Sequence, residues 1–332
     1  MTQPTRTIAW VGGQFFQPHM EAEGFRAVHI PMTRPQAFTW EDLVQRCEGA
    51  PDAVVYCDRS LPPPLTGVER FPCLTAFYCI DSHIHGWYPL YAGAFDLCAV
   101  SLRDHVARFK AELSPGRVLW LPPFAEDRYR PGQAEKTFDL LFAGTVNPET
   151  TPQRHEFLAR LAALFPNLAV RQGDFNQLLP QARVVLNIAE RGDLNFRVFE
   201  ALACGSCLLT PAIANGQPEL FRAGEHFITY APNDPADAAD KARALLADHA
   251  RRDALAQAGH ALVDAAHRPA HRAKALAALL RQGFDDKLAA RRLAQPDAAL
   301  RKRLRLMYLH WAEQGGEPGL CARYLAEARA LA

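Results

Sequence analysis

Short apolar runs alternate with helix-like stretches along the N-terminal third of the chain. Runs of roughly four to eight apolar residues, closed by polar residues or proline, are typical of strands buried on both faces of a parallel sheet. Residues 40–50 carry a helical pattern instead, and Thr39 in front of them predicts the N-terminus of that helix. The pattern predicts an α/β fold. The predicted strands read RTIAWVGG, GFRAVHIPM, DAVVYCD, CLTAFYCID, FDLCAVS and RVLWLPP.

The same alternation starts again after a segment of different composition. Residues 122–136 contain prolines, a glycine and mixed charges, which predict an interdomain linker. Further strands are predicted at FDLLFAG, LAVRQG, ARVVLNIAE and SCLLTP, and helices at TPQRHEFLARLAALFP, LNFRVFEALACG and residues 234–267. Two successive α/β halves predict two Rossmann-like domains.

The C-terminal part of the chain is nearly free of strand patterns and rich in Ala, Leu and Arg. It predicts several helices, with a break at EQGGEPG. We therefore predict an N-terminal domain at residues 1–126, a second domain at 137–265 and a helical segment at 266–332.

Composition narrows the classes of function. A length of 332 residues suggests two domains at about 150 residues each. Lys and Arg number 37 and Asp and Glu number 36, so the net charge is +1. Proteins whose main partner is nucleic acid usually carry a strong basic excess, and this balance therefore argues against one. The 49% hydrophobic content is that of a globular protein.

The cysteines and the apolar runs bear on the cellular compartment. Eight cysteines are dispersed along the chain, mostly inside apolar runs, where a free thiol behaves as a small core residue. We find neither a signal-peptide core nor the run of about 18 apolar residues that a membrane span requires. These features predict a cytoplasmic protein. Cys204 and Cys207 have the spacing of a redox pair, but the apolar run that follows favours two packed cysteines.

Residues 184–230 carry the most specific chemistry. A predicted buried strand ends at 187–190, a polar loop follows, and a helix begins near Asn195. A helix N-terminus directs unpaired N–H groups and positive dipole at a ligand, which suits a diphosphate. Arg197 in the first turn adds a two-pronged donor, and Glu200 can accept hydrogen bonds from a ribose diol. The structural alternative is that Glu200 lies on a solvated helix face.

This segment, LNFRVFEALACGSCLLTP…ELFRAGEHFITY, resembles the donor-site segment of GT-B glycosyltransferases, and most closely that of the CgeB-like (spore-maturation-type) group. The similarity extends to residues 138–148 and 265–276, more weakly to CIDSHIH and WLPPFAED, and covers most of residues 8–276. The resemblance implies a GT-B fold, in which two Rossmann-like domains face a cleft. The N-terminal domain would bind the acceptor and the second domain the nucleotide-sugar donor, with a C-terminal helical extension.

The resemblance also implies roles for single residues. Glu200 matches the glutamate that holds the nucleotide ribose in retaining GT-B enzymes, and Asn195 and Arg197 lie where the donor diphosphate is expected. Gly144 and Thr145 match the loop whose backbone approaches the phosphates. Further donor-binding candidates are Arg154 as a counter-charge, Gly173 in the segment near the base, and Glu190.

One departure from the family pattern concerns stereochemistry. Many retaining enzymes carry two glutamates separated by seven residues, and this spacing assigns the first glutamate to Gly192. Glu190 is two residues early. The resemblance favours retention, but the missing glutamate leaves the stereochemistry open.

The loop CIDSHIHGWYP is the second candidate site, because α/β sheets bind ligands at the carboxyl ends of their strands. We predict His83 as a catalytic base for an acceptor hydroxyl, with Asp81 orienting or polarising it. His85, with Gly12 and Gly13 after the first strand, is predicted to bind the acceptor. Alternatively, the histidines only close the loop and the glycines form a plain turn. A metal site would need further ligands than this loop offers, so no metal is predicted.

Basic side chains recur between apolar ones in the tail. A basic amphipathic helix can contact an anionic membrane surface or a protein partner, and it can equally be the solvated face of a packed helix. The residues are Lys287, Arg291, Arg292, Arg301, Lys302, Arg303 and Arg305.

Together these features predict a hexosyltransferase-type glycosyltransferase that takes a sugar from a nucleotide-diphosphate donor and needs neither metal nor another cofactor. The acceptor stays open among protein, lipid-linked glycan, polysaccharide and small molecule. The alternatives are a nucleotide-sugar epimerase or hydrolase, and a non-catalytic nucleotide-sugar-binding protein.

Overall fold

The computed structural model describes residues 5–332. They form two compact units, each built around one parallel sheet. The first unit runs up to Leu121 and resumes at Arg272, and the second spans Pro122–His271. The α/β prediction is therefore confirmed in both halves. The predicted domain boundaries stay predictions.

The sheet of the first unit has six strands in the order β2-β1-β3-β4-β5-β6. They are β1 (Arg6–Gly12), β2 (Phe25–Pro31), β3 (Ala53–Cys57), β4 (Leu74–Cys79), β5 (Leu97–Val100) and β6 (Val118–Trp120). The chain leaves β1 for β2 on one side and then returns to pair β3 with β1 on the other. Such a reversal opens a crevice at the carboxyl ends of the two central strands.

The early helices of the chain are short. They are α1 (Trp40–Arg46), α2 (Tyr88–Ala92) and α3 (Val106–Lys110), with 3₁₀ helices at Gln17–Met20, Val68–Arg70, Arg103–His105 and Pro115–Arg117. At α1, the Thr39 side chain accepts the N–H of Asp42, whose carboxylate accepts the N–H of Thr39. This reciprocal cap confirms the predicted helix start.

The sheet of the second unit has five parallel strands in the order β11-β10-β9-β7-β8. They are β7 (Phe138–Ala143), β8 (Leu168–Arg171), β9 (Ala182–Leu186), β10 (Cys207–Pro211) and β11 (Ile228–Tyr230). The connecting helices are α4 (Pro152–Leu164), α5 (Phe175–Leu178), α6 (Phe196–Ala203), α7 (Gln217–Leu220), α8 (Pro235–Ala247) and α9 (His249–Ala266), with a 3₁₀ helix at Leu179–Gln181. Here the order reverses between β7 and β9.

Two details of the second unit differ from the sequence pattern. The helical stretch at 234–267 is two helices, because the Asp248 side chain accepts the N–H of Arg251 and starts a new helix there. Strand β11 was not predicted, since three residues are too few to show a period.

Cys204 and Cys207 are buried and unpaired, and burial raises the pKa of each thiol to about 12. They are therefore core residues, as the pattern favoured.

The C-terminal helices complete the first unit. They are α10 (Pro269–Asp285), α11 (Leu288–Ala294), α12 (Ala298–Glu313) and α13 (Pro318–Ala330). The hydroxyl of Tyr308 donates to the Leu65 carbonyl at 3.1 Å, and that of Tyr324 donates to the Pro63 carbonyl at 2.9 Å. Within residues 5–332, none of the helices combines the length and the apolar character that crossing a bilayer requires.

Candidate functional site

A cavity of about 350 Å³ opens at the carboxyl edge of the second sheet, where the strand order reverses between β7 and β9. Of the eight predicted donor-binding residues, five line it: Gly144, Arg154, Asn195, Arg197 and Glu200. The other lining residues are Phe142, Ala143, Phe175, Asn187, Ile188, Asp193 and Phe196. The structure thus gathers most of the predicted donor residues at the place where α/β sheets bind ligands.

The N-terminus of α6 faces this cavity without a side-chain cap. Asn195 occupies the N-cap position with extended backbone, but its amide group donates to the Ile188 carbonyl at 3.1 Å instead of capping the helix. The first turn of α6 therefore has no side-chain cap, and the positive end of its helix dipole lies at the cavity. This end of α6 can bind an anion such as a diphosphate.

Arg197 is fixed in the cavity by three contacts. Its Nε lies 3.1 Å from Oε2 of Glu200, its Nη1 donates to the Ala143 carbonyl at the end of β7, and its guanidinium lies 3.8 Å from the centre of the Phe175 ring. Both charged side chains are mostly buried, with 13% and 14% of their area exposed. Glu200 is therefore not a solvated surface residue, which removes the structural alternative for it.

Arg154 and Glu190 form a second charged pair beside the cavity. The Glu190 carboxylate accepts the backbone N–H of Arg154 at 3.0 Å and lies 3.2 Å from its Nε. Another guanidinium nitrogen of Arg154 donates to the Thr145 carbonyl at 2.8 Å. Arg154 is thus held against the loop after β7. The Glu190 carboxylate pairs with the charge of Arg154. It lies beside the N-terminus of α4, where the helix dipole favours a negative charge.

Close packing or a positive φ favours glycine at three positions in this region. A Cβ on Gly144 would lie 3.1 Å from the Phe142 ring, and Gly173 has a φ of +144° in the turn before α5. Gly192, where the family spacing expects a glutamate, has a φ of +68°. That conformation favours glycine, so the missing glutamate is replaced by a turn residue.

The segment predicted as an interdomain linker packs on the second unit. Its Phe124 and Phe196 rings meet edge to face with their centroids 5.6 Å apart, and the N–H of Ala125 donates to the His267 carbonyl at 3.1 Å. Tyr129, also in this segment, is buried, and burial together with the nearby Glu200 charge raises its pKa. Sequence reasoning missed Tyr129, because nothing local distinguishes a buried tyrosine in a proline-rich segment.

The predicted acceptor residues lie at the carboxyl edge of the first sheet. Gly12 has a φ of +99°, and a Cβ there would stand 2.1 Å from the Cys57 carbonyl oxygen. The N–H of Gly13 donates to that same oxygen at 3.0 Å. These glycines let the loop after β1 close against the end of β3. Their role in binding an acceptor stays a prediction.

Asp58 connects the loops at the carboxyl edge of the first sheet, and it was not predicted from the sequence. Its fully buried carboxylate accepts four hydrogen bonds, from the Tyr88 hydroxyl at 2.5 Å and from the N–H groups of Ser60, Ile80 and Asp81 at 2.8, 3.2 and 3.0 Å. Burial raises the pKa of Asp58, and these hydrogen bonds oppose the rise. The signal in the sequence was an aspartate directly after the apolar run VVYC.

The side chains of Asp81 and of the two histidines in this loop make different contacts. The Asp81 carboxylate accepts a hydrogen bond from the Ser60 hydroxyl, and among the described residues neither histidine side chain is bonded to it. The His85 ring packs on Tyr88 with their centroids 4.9 Å apart. The Asp81 carboxylate thus bonds Ser60 in this structure, and the orientation of a histidine by Asp81 stays a prediction.

His83 has a different neighbour. His105, in the 3₁₀ helix after β5, lies near it, and burial together with the charges of Arg108 and His83 lowers the pKa of His105. The Nδ1 atoms of both rings are buried without a hydrogen-bond partner among the described residues. His105 was not predicted, since it follows a different strand. The catalytic roles of His83 and Asp81 stay predictions.

Residues 155–278 match the protein family described as "Glycosyl transferase-like". This part of the chain is similar to that family. No curated protein matches the chain in sequence. The matched residues include α6 and eight of the twelve residues that line the cavity, whereas Gly144, Thr145 and Arg154 of the predicted donor site precede them.

Solved structures show the same fold along most of the chain. HepE from Anabaena, solved in complex with UDP, has a TM-score of 0.61 at 10% identity and covers 83% of this chain and 100% of its own. Sucrose-phosphate synthase from Thermosynechococcus elongatus has a TM-score of 0.59 at 13% identity, covering 85% and 100%. A glycosyltransferase from Rickettsia africae has a TM-score of 0.59 at 9% identity, covering 84% and 99%. The chain therefore has a GT-B fold.

Proposed function

We propose that the protein transfers a sugar from a nucleoside-diphosphate donor, bound in the cavity beside α6, to an acceptor at the carboxyl edge of the first sheet. The observation that carries this proposal is the pairing of Arg197 and Glu200 at the uncapped N-terminus of α6. A cation and the positive end of a helix dipole suit a diphosphate, and a carboxylate beside them suits a ribose diol.

The residues of the cavity match the difficult step of such a reaction. As the bond between the anomeric carbon and the diphosphate breaks, negative charge grows on the leaving diphosphate. The N-terminus of α6 and the guanidinium of Arg197 line the cavity, and the contacts of Arg197 with the Ala143 carbonyl and the Phe175 ring hold its charge there before a ligand binds. We propose that this transfer proceeds without a resident metal.

The donor nucleotide is proposed from the neighbouring structures. HepE was solved with UDP and with UDP-glucose, and TarM was solved with UDP in complex with α-GlcNAc-glycerol. We therefore propose a UDP-sugar as donor and a hexose as the transferred group. The acceptor is proposed to be a hydroxyl compound, with His83 and Asp81 near the reacting hydroxyl.

Three further points belong to the same proposal. We propose retention of the anomeric configuration, since Glu200 keeps the position of the ribose-binding glutamate of retaining enzymes. We propose a cytoplasmic protein, because the cysteines of the described residues are free. The closer likeness to the CgeB-like group is also a proposal, supported by the motifs at residues 138–148 and 194–230.

The first test is a thermal-shift panel of UDP, GDP, ADP, CDP and dTDP and their glucose derivatives. A ligand that binds the folded state raises the melting temperature, so UDP compounds should stand out. In Glu200→Ala that shift should shrink, and transfer should be lost. No shift with any nucleotide, or unchanged turnover of the variant, would contradict the proposal.

The second test separates transfer from the alternative reactions. Incubation of the protein with UDP-glucose alone should leave the sugar unchanged, while an added acceptor pool should become glycosylated. An epimerase would alter the sugar without an acceptor, and a hydrolase would release it as free hexose. A nucleotide-binding protein without activity would bind UDP-glucose and consume none.

A further inference from the structure

Helices α11 and α12 border a second cavity, of about 490 Å³. Its lining comes from these two helices and the turn between them, and from residues 69–70, 93 and 112–117. All of these residues belong to the first unit, whereas the proposed donor cavity is lined by residues of the second. Sites for small molecules measure roughly 300–1,000 Å³, so this cavity has the size of a ligand site.

The charged part of the lining is dominated by arginines. They are Arg70, Arg117, Arg291, Arg292, Arg301 and Arg303. Half of them are neutralised by carboxylates, in the pairs Arg70–Glu327 at 2.7 Å, Arg292–Asp96 at 2.9 Å and Arg303–Glu112 at 2.7 Å. These three ion pairs hold the walls of the cavity together, and their charges are already used.

The other three arginines lack a counter-charge. Within residues 5–332, Arg117, Arg291 and Arg301 form no ion pair. The Nε of Arg301 is buried and has no hydrogen-bond partner in that part of the chain. Burial lowers the pKa of Arg117, and the charge of Arg292 adds to this effect while Asp96 opposes it. Three unmatched guanidinium groups thus face one cavity, where an anion would relieve their repulsion.

The carboxylates of the lining do not supply that anion. Glu69 and Glu112 each contact one of the three paired arginines. Asp297 accepts the N–H of Leu300 at 2.9 Å and caps the start of α12. Each of these carboxylates therefore has a partner of its own, and the counter-charge for the unmatched arginines has to come from a ligand.

The chemistry of the lining indicates the class of that ligand. A guanidinium group presents a planar fork that matches the oxygens of a phosphate. A phosphate monoester carries a charge of about −1.5 to −2 near pH 7, so one such group can be shared by several guanidinium groups. The rest of the wall is largely apolar and suits a carbon substituent on the phosphate. The apolar residues are Leu113, Leu288, Leu293, Pro296 and Leu300.

We propose that this cavity binds a phosphate monoester with an apolar substituent, and that Arg117, Arg291 and Arg301 hold its phosphate. A free metabolite and the headgroup of a lipid share this chemistry. The inference is independent of the proposed function, because the two cavities have no lining residue in common.

Calorimetry with phenyl phosphate as the probe tests the site. The wild type should bind phenyl phosphate more tightly than inorganic phosphate, because the leucines can cover the ring. Arg291→Ala and Arg301→Gln should each weaken phenyl phosphate binding by about 10-fold, since each removes a charge-assisted contact. Arg291 is exposed, so its variant should fold as the wild type does, and the test stands even if Arg301→Gln lowers stability.

Two further arginines serve as controls. Arg305 lies in α12, is exposed and does not line the cavity, so Arg305→Ala removes the same charge from the same tail. Arg197→Ala removes an arginine from the donor cavity. Both should leave the affinity for phenyl phosphate within about 2-fold of the wild type, because charges outside the site are screened by salt.

Three results would overturn the inference. The first is a wild type that binds phenyl phosphate no better than inorganic phosphate, or binds neither. The second is Arg305→Ala weakening binding as much as Arg291→Ala, which would mean that only the net charge matters. The third is a loss of binding in Arg197→Ala alone, which would place the probe in the donor cavity.

Vesicle sedimentation distinguishes the two sources of the ligand. Phosphatidylcholine vesicles are compared with and without phosphatidic acid, whose headgroup is a phosphate monoester. Binding to phosphatidic acid that is lost in Arg291→Ala and kept in Arg305→Ala would identify a lipid headgroup. Binding of phenyl phosphate without binding to these vesicles would identify a free metabolite. Vesicle binding that both variants weaken equally would belong to the basic tail as a whole and would contradict a defined site.

Discussion

The carboxylate of Asp58 accepts the backbone N–H of Asp81 at 3.0 Å, so a buried charge at the end of β3 fixes the loop after β4. The same carboxylate accepts the N–H of Ser60, whose φ of +53° is uncommon for a residue with a Cβ. Ser60 in turn donates its hydroxyl to Asp81. Two loops are thus joined at the edge where we place the acceptor.

Asp58→Asn should lower the free energy of unfolding by about 3 kcal/mol, because the new amide turns an acceptor into a donor that faces other donors. Each buried donor left without an acceptor costs about 1–3 kcal/mol. Urea unfolding measures the change. The matched control is Asp253→Asn, at a side chain that is 78% exposed, which should change stability by less than about 0.5 kcal/mol. Equal effects in the two variants would show that Asp58 does not organise this edge.

Arg197→Lys should weaken UDP binding by about 10-fold, although it keeps the positive charge. Lysine lacks the planar fork that holds Glu200 and the Ala143 carbonyl at once, and it stacks less well on Phe175. Calorimetry measures the affinity. Arg222→Lys is the control, since Arg222 pairs with Glu225 at the same three-residue spacing but on the exposed surface. A lysine variant that binds UDP as tightly as the wild type would contradict the role of Arg197.

The contacts of Arg197 also show how far the sequence could predict the site. Glu200 and Arg197 share one helix turn, and the loop that precedes them follows a buried strand, so local pattern and resemblance were sufficient to place them. The strands and the start of α1 were equally predictable, because apolar runs and a capping box are local signals. These features depend on neighbours in the sequence.

The features that were missed depend on contacts between distant parts of the chain. Tyr129 lies close to Glu200, and Asp58 accepts the N–H of Asp81, only because the fold brings separate segments of the chain together. The hydrogen bond between Ser60 and Asp81 was not predicted for the same reason, since Ser60 follows another strand. A short-range pattern contains no information about such pairings, so they had to come from the fold.

Stability should fall when the pH drops from 7.5 to 5.5, in part because of His105. Its pKa in the folded protein is lowered by burial, while in the unfolded chain it has the ordinary value of about 6.5. As the pH falls through 6.5, the unfolded state takes up the proton first and is favoured. The contribution of neutral His105 to the free energy of unfolding is therefore present above pH 6.5. It is lost as the pH falls towards the pKa of His105 in the folded protein.

The urea concentration at which half of the protein is unfolded, measured at pH 7.5 and at pH 5.5, tests this expectation. His226, whose pKa is also lowered by burial, should contribute in the same direction. His105→Gln should reduce the pH dependence, whereas His249→Gln, at an exposed histidine, should leave it unchanged. A pH dependence that is identical in wild type and His105→Gln would show that this histidine is not the cause.

The basic tail gives the last prediction, because one of its arginines is structural. Arg292 binds the fully buried Asp96 through Nε at 2.9 Å and also donates to the carbonyls of Glu69, Phe71 and Cys73. These contacts attach α11 to the first unit. The neighbouring Arg291 is exposed.

Arg292→Ala should therefore lower the free energy of unfolding by about 3–5 kcal/mol, since it leaves the buried Asp96 charge without its cation. Arg291→Ala should change it by less than about 0.5 kcal/mol. Urea unfolding at pH 7.5 compares the two variants, which remove the same charge from the same helix. If both had a small effect, Arg292 would be an ordinary surface cation, and its charge would be available for contacts with an anionic surface. A large effect of Arg292→Ala alone would instead identify this part of the basic pattern as the attachment of the tail to the first unit.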